Sequence, residues 1–161
     1  MRHIISALVE NKPGVLAHIA GLFSARGFNI ESLAVGETES PRLSRLTLVS
    51  TGDDEVIEQI RKQLGKVIDV VKVMDLTGSD VIERDLALIR IHCPPPKRTE
   101  LFDLIGVFRG AVVDVGAREI TAQMIGPEAK IQAFLEVLAP YGIREMVRTG
   151  RIAIRRSETR S

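Results

Sequence analysis

The apolar periodicity of this chain switches between two and about 3.6 in a fixed order, strand, helix, strand, strand, helix, strand, and that order comes twice. In the first pass, the run His3 to Val9 sets Ile5, Ala7 and Val9 on one side of an extended segment and Ile4 and Leu8 on the other. After Asn11-Lys12-Pro13-Gly14, the residues Val15, Leu16, Ile19, Ala20, Leu22 and Phe23 make one stripe of a helix over 14–26. Gly27 is placed to stop it in the left-handed conformation. Strands over 29–37 and 43–50, joined by Thr38-Glu39-Ser40-Pro41, read as a hairpin. Gly52-Asp53-Asp54 supplies a turn and a cap for a second amphipathic helix through Val56, Ile57, Ile60 and Leu64, with acids where the macrodipole favours them. Gly65 ends that helix and a last strand covers 67–76. The order βαββαβ predicts a four-stranded antiparallel sheet with two helices on one face, the split βαβ or ferredoxin-like arrangement.

The second pass follows Thr77-Gly78-Ser79, with a strand over 85–92, the stiff Pro94-Pro95-Pro96 loop and a helix capped near Thr99. That helix turns Leu101, Phe102, Leu104, Ile105 and Phe108 inward. Strands over 111–115 and 119–125 precede a helix whose first turn holds Pro127 and whose inner face is Ile131, Phe134, Leu135 and Leu138. Pro140-Tyr141-Gly142 closes it, and one final strand is expected over 143–154. The chain therefore reads as an α+β fold of two ferredoxin-like domains, 1–77 and 78–161, since that length suits two small units of this kind. Small domains with open sheet edges gain from association, and homodimerisation through the first sheet covers an edge; short charged edges on a monomer are the alternative.

Composition narrows the function classes. With 45% hydrophobic residues the chain can build cores, yet its longest apolar runs fall far short of the roughly 20 residues of a spanning helix. The opening Met1 to Ile5 leads directly into a strand, so neither signal nor transit segment is expected and a cytoplasmic location follows. A single cysteine, Cys93, offers no disulfide framework, and His3, His18 and His92 show no metal-ligand spacing, so no metal is expected. Net charge is +1 with interspersed signs, and aromatic content is 4%, so neither phosphate-backbone binding nor base stacking is expected. The basic run Arg148, Arg151, Arg155, Arg156 and Arg160 reads as a solvated strand face and tail, with a partner-docking patch as the alternative.

The segment that carries chemistry is Asn11-Lys12-Pro13-Gly14-Val15-Leu16. It joins a strand to a helix, so the helix's opening N–H groups lie around Gly14, Val15 and Leu16, and with the positive end of the macrodipole they suit a carboxylate. Gly14 leaves the approach open, and Asn11 can bond either an ammonium or a carboxylate. Taken alone, Pro13-Gly14 before a helix is most often only a turn. Elsewhere the pattern offers structure: adjacent His92 and Cys93 point to opposite strand faces, His18 faces away from the apolar stripe, Asp53-Asp54-Glu55 caps a helix, and Phe28, Phe102, Phe108 and Phe134 read as core. No Gly-rich phosphate loop is present, and no nucleophile, acid or base converges with another.

The opening Arg2 to Ser6 followed by Glu10-Asn11-Lys12-Pro13-Gly14-Val15-Leu16 resembles an ACT domain. Gly21-Leu22-Phe23-Ser24-Ala25-Arg26-Gly27-Phe28-Asn29-Ile30-Glu31-Ser32-Leu33 narrows the resemblance to the small-subunit family of acetolactate synthase (acetohydroxyacid synthase). Leu43 to Thr47, Gln59 to Leu64, Val67 to Val73, Phe108-Arg109-Gly110 and Val113-Asp114-Val115 extend it over nearly the whole chain. The resemblance implies a non-catalytic regulatory subunit of branched-chain amino acid biosynthesis. Such a subunit activates a catalytic large subunit, which holds the thiamine diphosphate, magnesium and flavin, and confers feedback inhibition by valine. It also implies a homodimer whose effector lies between Asn11, Gly14, Val15 and Leu16 of one chain and Asn29 and Ile30 of its partner. An ACT-type amino-acid-responsive transcriptional regulator is the competing reading, against which stand the near-neutral charge and the lack of a helix-turn-helix pattern. A small enzyme on the same scaffold would need convergent groups that the sequence does not offer.

Overall fold

The computed structural model of the chain describes residues 1–158. Packing divides them into two units, one formed by 1–82 with the stretch from Arg151 onward, the other by 83–150. The first holds β1 (Arg2–Glu10), α1 (Val15–Arg26), β2 (Ile30–Glu37), β3 (Leu43–Thr51), α2 (Asp54–Gly65) and β4 (Val70–Asp75). Its sheet runs β2-β3-β1-β4, antiparallel throughout. Register explains which residues are inside. Ile5 pairs with Leu48 and Ala7 with Leu46, so all four share one face, where they pack with Ile19, Phe23, Ile57 and Ile60 of the helices. Each buried aliphatic side chain of this kind stabilises the fold by about 1.5–3 kcal/mol relative to exposure.

The two helices of this unit start differently. Asp53, extended at φ −83, caps α2 by accepting from Val56 N at 2.9 Å. Gly14 precedes α1 at φ 85 and contributes no side-chain cap. At the other end of α1, Gly27 takes φ 66 and the amides of Gly27 and Phe28 close on Ser24 O and Phe23 O, the expected left-handed stop.

The second unit repeats the plan. It contains β5 (Val81–His92, less its first two residues), α3 (Arg98–Val107), β6 (Ala111–Val115), β7 (Glu119–Gly126), α4 (Glu128–Leu138) and β8 (Ile143–Arg148), in the sheet order β6-β7-β5-β8. Position for position this is the strand order of the first sheet, and Ile89, Ile91, Leu101, Ile105, Met124 and Phe134 occupy its core. The chain is an α+β protein of two ferredoxin-like βαββαβ domains. Among the described residues no helix is long and apolar enough to cross a membrane.

Several local readings are corrected. The single strand expected over 143–154 is two, β8 and β9 (Ile152–Arg155), because Gly150 turns the chain at φ 82. β9 pairs with β5, which therefore starts at Val81 rather than 85, and Arg156 N bonds Asp80 O at 3.0 Å. The returning segment reaches the helix-free face of the first sheet, where Arg151 N donates to Ser32 Oγ at 3.0 Å. The arginine run is accordingly not a plain solvated face. Arg148 bonds Asp85 and Glu128, Arg151 is buried, and Arg156 pairs with Asp80; Arg160 lies outside the described residues.

In α3, a 3-10 turn over Pro95–Lys97 starts the helix before Thr99, which sits inside its first turn. Leu101 and Ile105, four apart, fill the core there and leave Phe102 40% exposed. Pro127 stands at the N-cap of α4, one position before its first turn. In α1, Val15, Ile19 and Phe23 face inward while Leu16 and Ala20 of the same stripe are exposed.

Candidate functional site

The loop between β1 and α1 builds the site. Because Gly14 adopts φ 85, the chain turns sharply into α1 and the first helical bond runs from His18 N to Gly14 O at 3.0 Å. The amides of Val15, Leu16 and Ala17 therefore form the opening turn, one residue further on than expected. Val15 N reaches Lys12 O only at 3.5 Å, and no side chain caps this helix end. Uncapped N–H groups at the positive end of a helix dipole are the kind of arrangement that suits a carboxylate.

Lys12 does not supply that positive charge. Its ammonium lies 2.5 Å from Glu10 and 3.7 Å from Asp69. The Glu10 bond, reinforced by charge attraction, raises the Lys12 pKa and holds the Glu10 carboxyl below the usual carboxylate range. The clasp sets two carboxylates against the cation, and the N–H groups of the helix start are left as the uncompensated positive element of the loop.

Beside the helix end lies a depression of about 60 Å³, lined mainly by Val9, Val15, Leu16, Ile19, Val35 and Leu46, with Asn11, Ser44 and the Glu10–Lys12 pair as its polar part. Leu16 and Val35 are 45% and 44% exposed at its mouth. Asn11 is held in place by three bonds to the β2–β3 hairpin: its own N to Arg42 O at 2.8 Å, and Nδ2 to Glu37 Oε1 at 3.0 Å and Pro41 O at 3.1 Å.

The predicted residues thus fall into two groups. Asn11, Gly14, Val15 and Leu16 come together at the end of β1. Asn29 and Ile30 lie at the opposite end of the sheet, since Ile30 pairs with Ser50 and Ser50 with His3 near the start of β1. From His3 to Glu10 is seven strand steps of about 3.4 Å, on the order of 20 Å. There the Asn29 carbonyl accepts from Ser50 Oγ at 2.7 Å and Ile30 packs against the core.

Sequence reasoning missed Val35, Glu37, Pro41, Ser44 and Leu46. Nothing in residue type or local spacing marks them; only the hairpin register, which pairs Val35 with Leu46 and Glu37 with Ser44, carries them to the β1–α1 loop. The other sequence candidates have structural surroundings. Cys93 is fully buried in the second core, His18 is exposed on α1, and Asp53 caps α2. Among the described residues no group of His, Cys, Asp and Glu is placed to hold a metal ion.

Comparison with known proteins matches both units. Residues 5–72 fit the family model described as an AHAS small subunit-like ACT domain, and 84–157 fit that described as the small subunit of acetolactate synthase. The chain is 53% identical over 154 residues to a protein of Archaeoglobus fulgidus named "Probable acetolactate synthase small subunit", covering 96% of each. It is 49% identical over 156 residues to the acetolactate synthase small subunit of Aquifex aeolicus, covering 96% of this chain and 81% of that one. The crystal structure of the acetolactate synthase small subunit from Thermotoga maritima superposes with a TM-score of 0.90 at 40% identity, over 99% of both chains.

Proposed function

The chain belongs to the family of acetolactate synthase small subunits, and from that premise we propose that it is the regulatory subunit of the enzyme, activating a catalytic large subunit and making it sensitive to feedback by valine. The observation that carries the regulatory reading is the unusual start of α1. A helix N-terminus without a side-chain cap, opened by a glycine at φ 85, stands beside an apolar depression. The amides take the carboxylate of an amino acid, and Leu16, Val35 and Leu46 receive a branched side chain. Enclosing a valine-sized group contributes about 1.5–3 kcal/mol, and one methylene more or less changes that by about 1–3 kcal/mol, so isoleucine and leucine bind the same place more weakly.

In this reading a second copy completes the site. β2 is an edge strand. Two copies joined antiparallel along β2 set the start of one strand beside the end of the other, which brings Asn29 and Ile30 of one chain towards the Asn11 loop of its partner. Reaction chemistry, with its thiamine diphosphate, magnesium and flavin, belongs to the large subunit, and this chain acts in the cytoplasm through a coupling of about 1–3 kcal/mol between effector and partner.

Co-purification with a large subunit, followed by acetolactate assays with and without valine, tests the proposal. Activation by the small subunit, inhibited by valine and relieved by Asn29→Ala, is the expected result. A large subunit whose rate is unaffected by this chain would overturn it.

A further inference from the structure

The first sheet has a second free margin, the outer edge of β4, and cations gather along it. β4 pairs with β1 alone. Leu76 N bonds Ile4 O at 2.8 Å, so by the alternation of an antiparallel ladder Met74 and Lys72 address β1, whereas Val73 and Asp75 turn N–H and C=O outward. Between this edge and α2 runs a groove of about 320 Å³, whose lining includes Arg61, Lys62, Gly65, Val71, Lys72 and Val73. Val71 is 57% exposed there.

The charges along the groove do not cancel. Glu58 is shared between Arg61, whose guanidinium reaches it at 2.8 and 3.0 Å, and Lys62 at 3.8 Å. Asp75 commits its carboxylate to Thr77 N at 2.9 Å, and its outward carbonyl accepts from Arg155 at 3.5 Å. Among the described residues the Lys72 ammonium has no partner. Register sets these cations on both sides of the strand. Val73 pairs with Ala7 of the core and so shares the helix face with Arg61 and Lys62, while Lys72 pairs with Leu8 on the opposite face. A strand laid along β4 would meet the open N–H and C=O of Val73 and pass between cations on its two faces. Two β4 edges brought together would instead set Arg61, Lys62 and Lys72 of one copy near the same residues of the other. The edge therefore suits an acidic strand and repels a second copy.

We propose that the β4 edge and the α2 groove receive an acidic extended segment of the catalytic large subunit by strand addition, leaving β2 to the second copy. The proposal rests on the reading of this chain as a regulatory subunit and adds to it the surface through which activation is delivered.

The test is activation of the large subunit titrated with the full-length small subunit, together with urea unfolding, sedimentation and valine calorimetry of the small subunit alone. Arg61→Glu with Lys72→Glu raises the concentration needed for half-maximal activation roughly tenfold, since two exposed attractions become repulsions. Arg61→Gln with Lys72→Gln, gentler on the fold, raises it roughly threefold. Arg144→Glu, an exposed charge on β8, is the control for net charge and changes it by less than about twofold. Added salt weakens activation by the unmutated chain and has less effect on the Gln pair. Valine affinity is unchanged in every variant. Activation that is the same in folded double variants, or that falls equally in Arg144→Glu, would overturn this proposal alone. So would a changed dimerisation constant in the double variants, which would give the edge to a second copy. A large subunit that the unmutated chain does not activate would overturn the regulatory reading itself.

Discussion

Substitution at Gly14 separates backbone strain from charge at the proposed effector site. The residue has φ 85, and a Cβ built there meets nothing within 4 Å, so Gly14→Ala meets no steric clash. Its cost is conformational, about 1–2 kcal/mol for holding a non-glycine residue in the left-handed region. Gly14→Asp carries the same strain and adds a carboxylate beside the amides that would receive the ligand's own. Two carboxylates about 4 Å apart repel by about 1 kcal/mol in bulk-water dielectric and about 4 kcal/mol at an effective dielectric near 20. Because Gly14 is exposed, the lower half of that range applies, about 1–2.5 kcal/mol or a loss of roughly five- to sixtyfold beyond that of alanine. Urea unfolding of the two variants should give matching losses of stability, and calorimetry with valine should separate them. Equal valine affinity for Gly14→Asp and Gly14→Ala would refute the claim that the opening turn of α1 holds a carboxylate.

Three further outcomes follow from the same geometry. Asp53→Ala removes the α2 cap and lowers stability by about 1 kcal/mol in urea unfolding, while valine affinity is unchanged because the cap lies outside the site. Arg148→Met strands Asp85, which is 3% exposed, and costs about 3 kcal/mol, part of which the double variant with Asp85→Asn recovers. Glu10 titrates below an ordinary glutamate in carbon-detected NMR, chiefly through its bond to Lys12, and returns to the ordinary value in Lys12→Met. The sign follows: with the folded pKa depressed, the clasp's stabilisation is present above the unfolded value and disappears as pH falls through the folded one.

Periodicity made most of the architecture legible, because a residue facing a core must recur at two or at 3.6 whatever it packs against. Ile5, Ala7 and Val9 illustrate this, as do Ile57, Ile60 and Leu64. What periodicity could not resolve is where a regular pattern is interrupted for a distant partner. The residues from Ile143 to Ile154 read as one strand, but Gly150 breaks them and Ile152–Arg155 returns to pair with β5. Charge was similarly misleading: Arg148 is tied down by Asp85, 63 positions earlier, a pairing set by strand register. Half of the candidate site was local and therefore readable, since Gly14 and the helix start are neighbours in sequence. Glu37, Pro41 and Val35 join it only through the hairpin.

The separation of Asn29 and Ile30 from the Asn11 loop carries its own test. If two copies build each site, a monomer offers only half of one, so valine must bind the dimer far more tightly and by linkage must stabilise it. Valine at 100 times its dissociation constant contributes about 2.7 kcal/mol per site, hence about 5.4 kcal/mol for the two sites of a symmetric pair, or roughly 10⁴-fold in the dimerisation constant. Pairing through the β4 edge would not produce this, since it would leave Asn29 and Ile30 on the outer rims of the joined sheet. Sedimentation equilibrium across a dilution series, with and without valine, measures the effect directly. A dimerisation constant indifferent to valine, in a protein that binds valine, would mean that the site is complete within one chain and that Asn29 and Ile30 take no part in it.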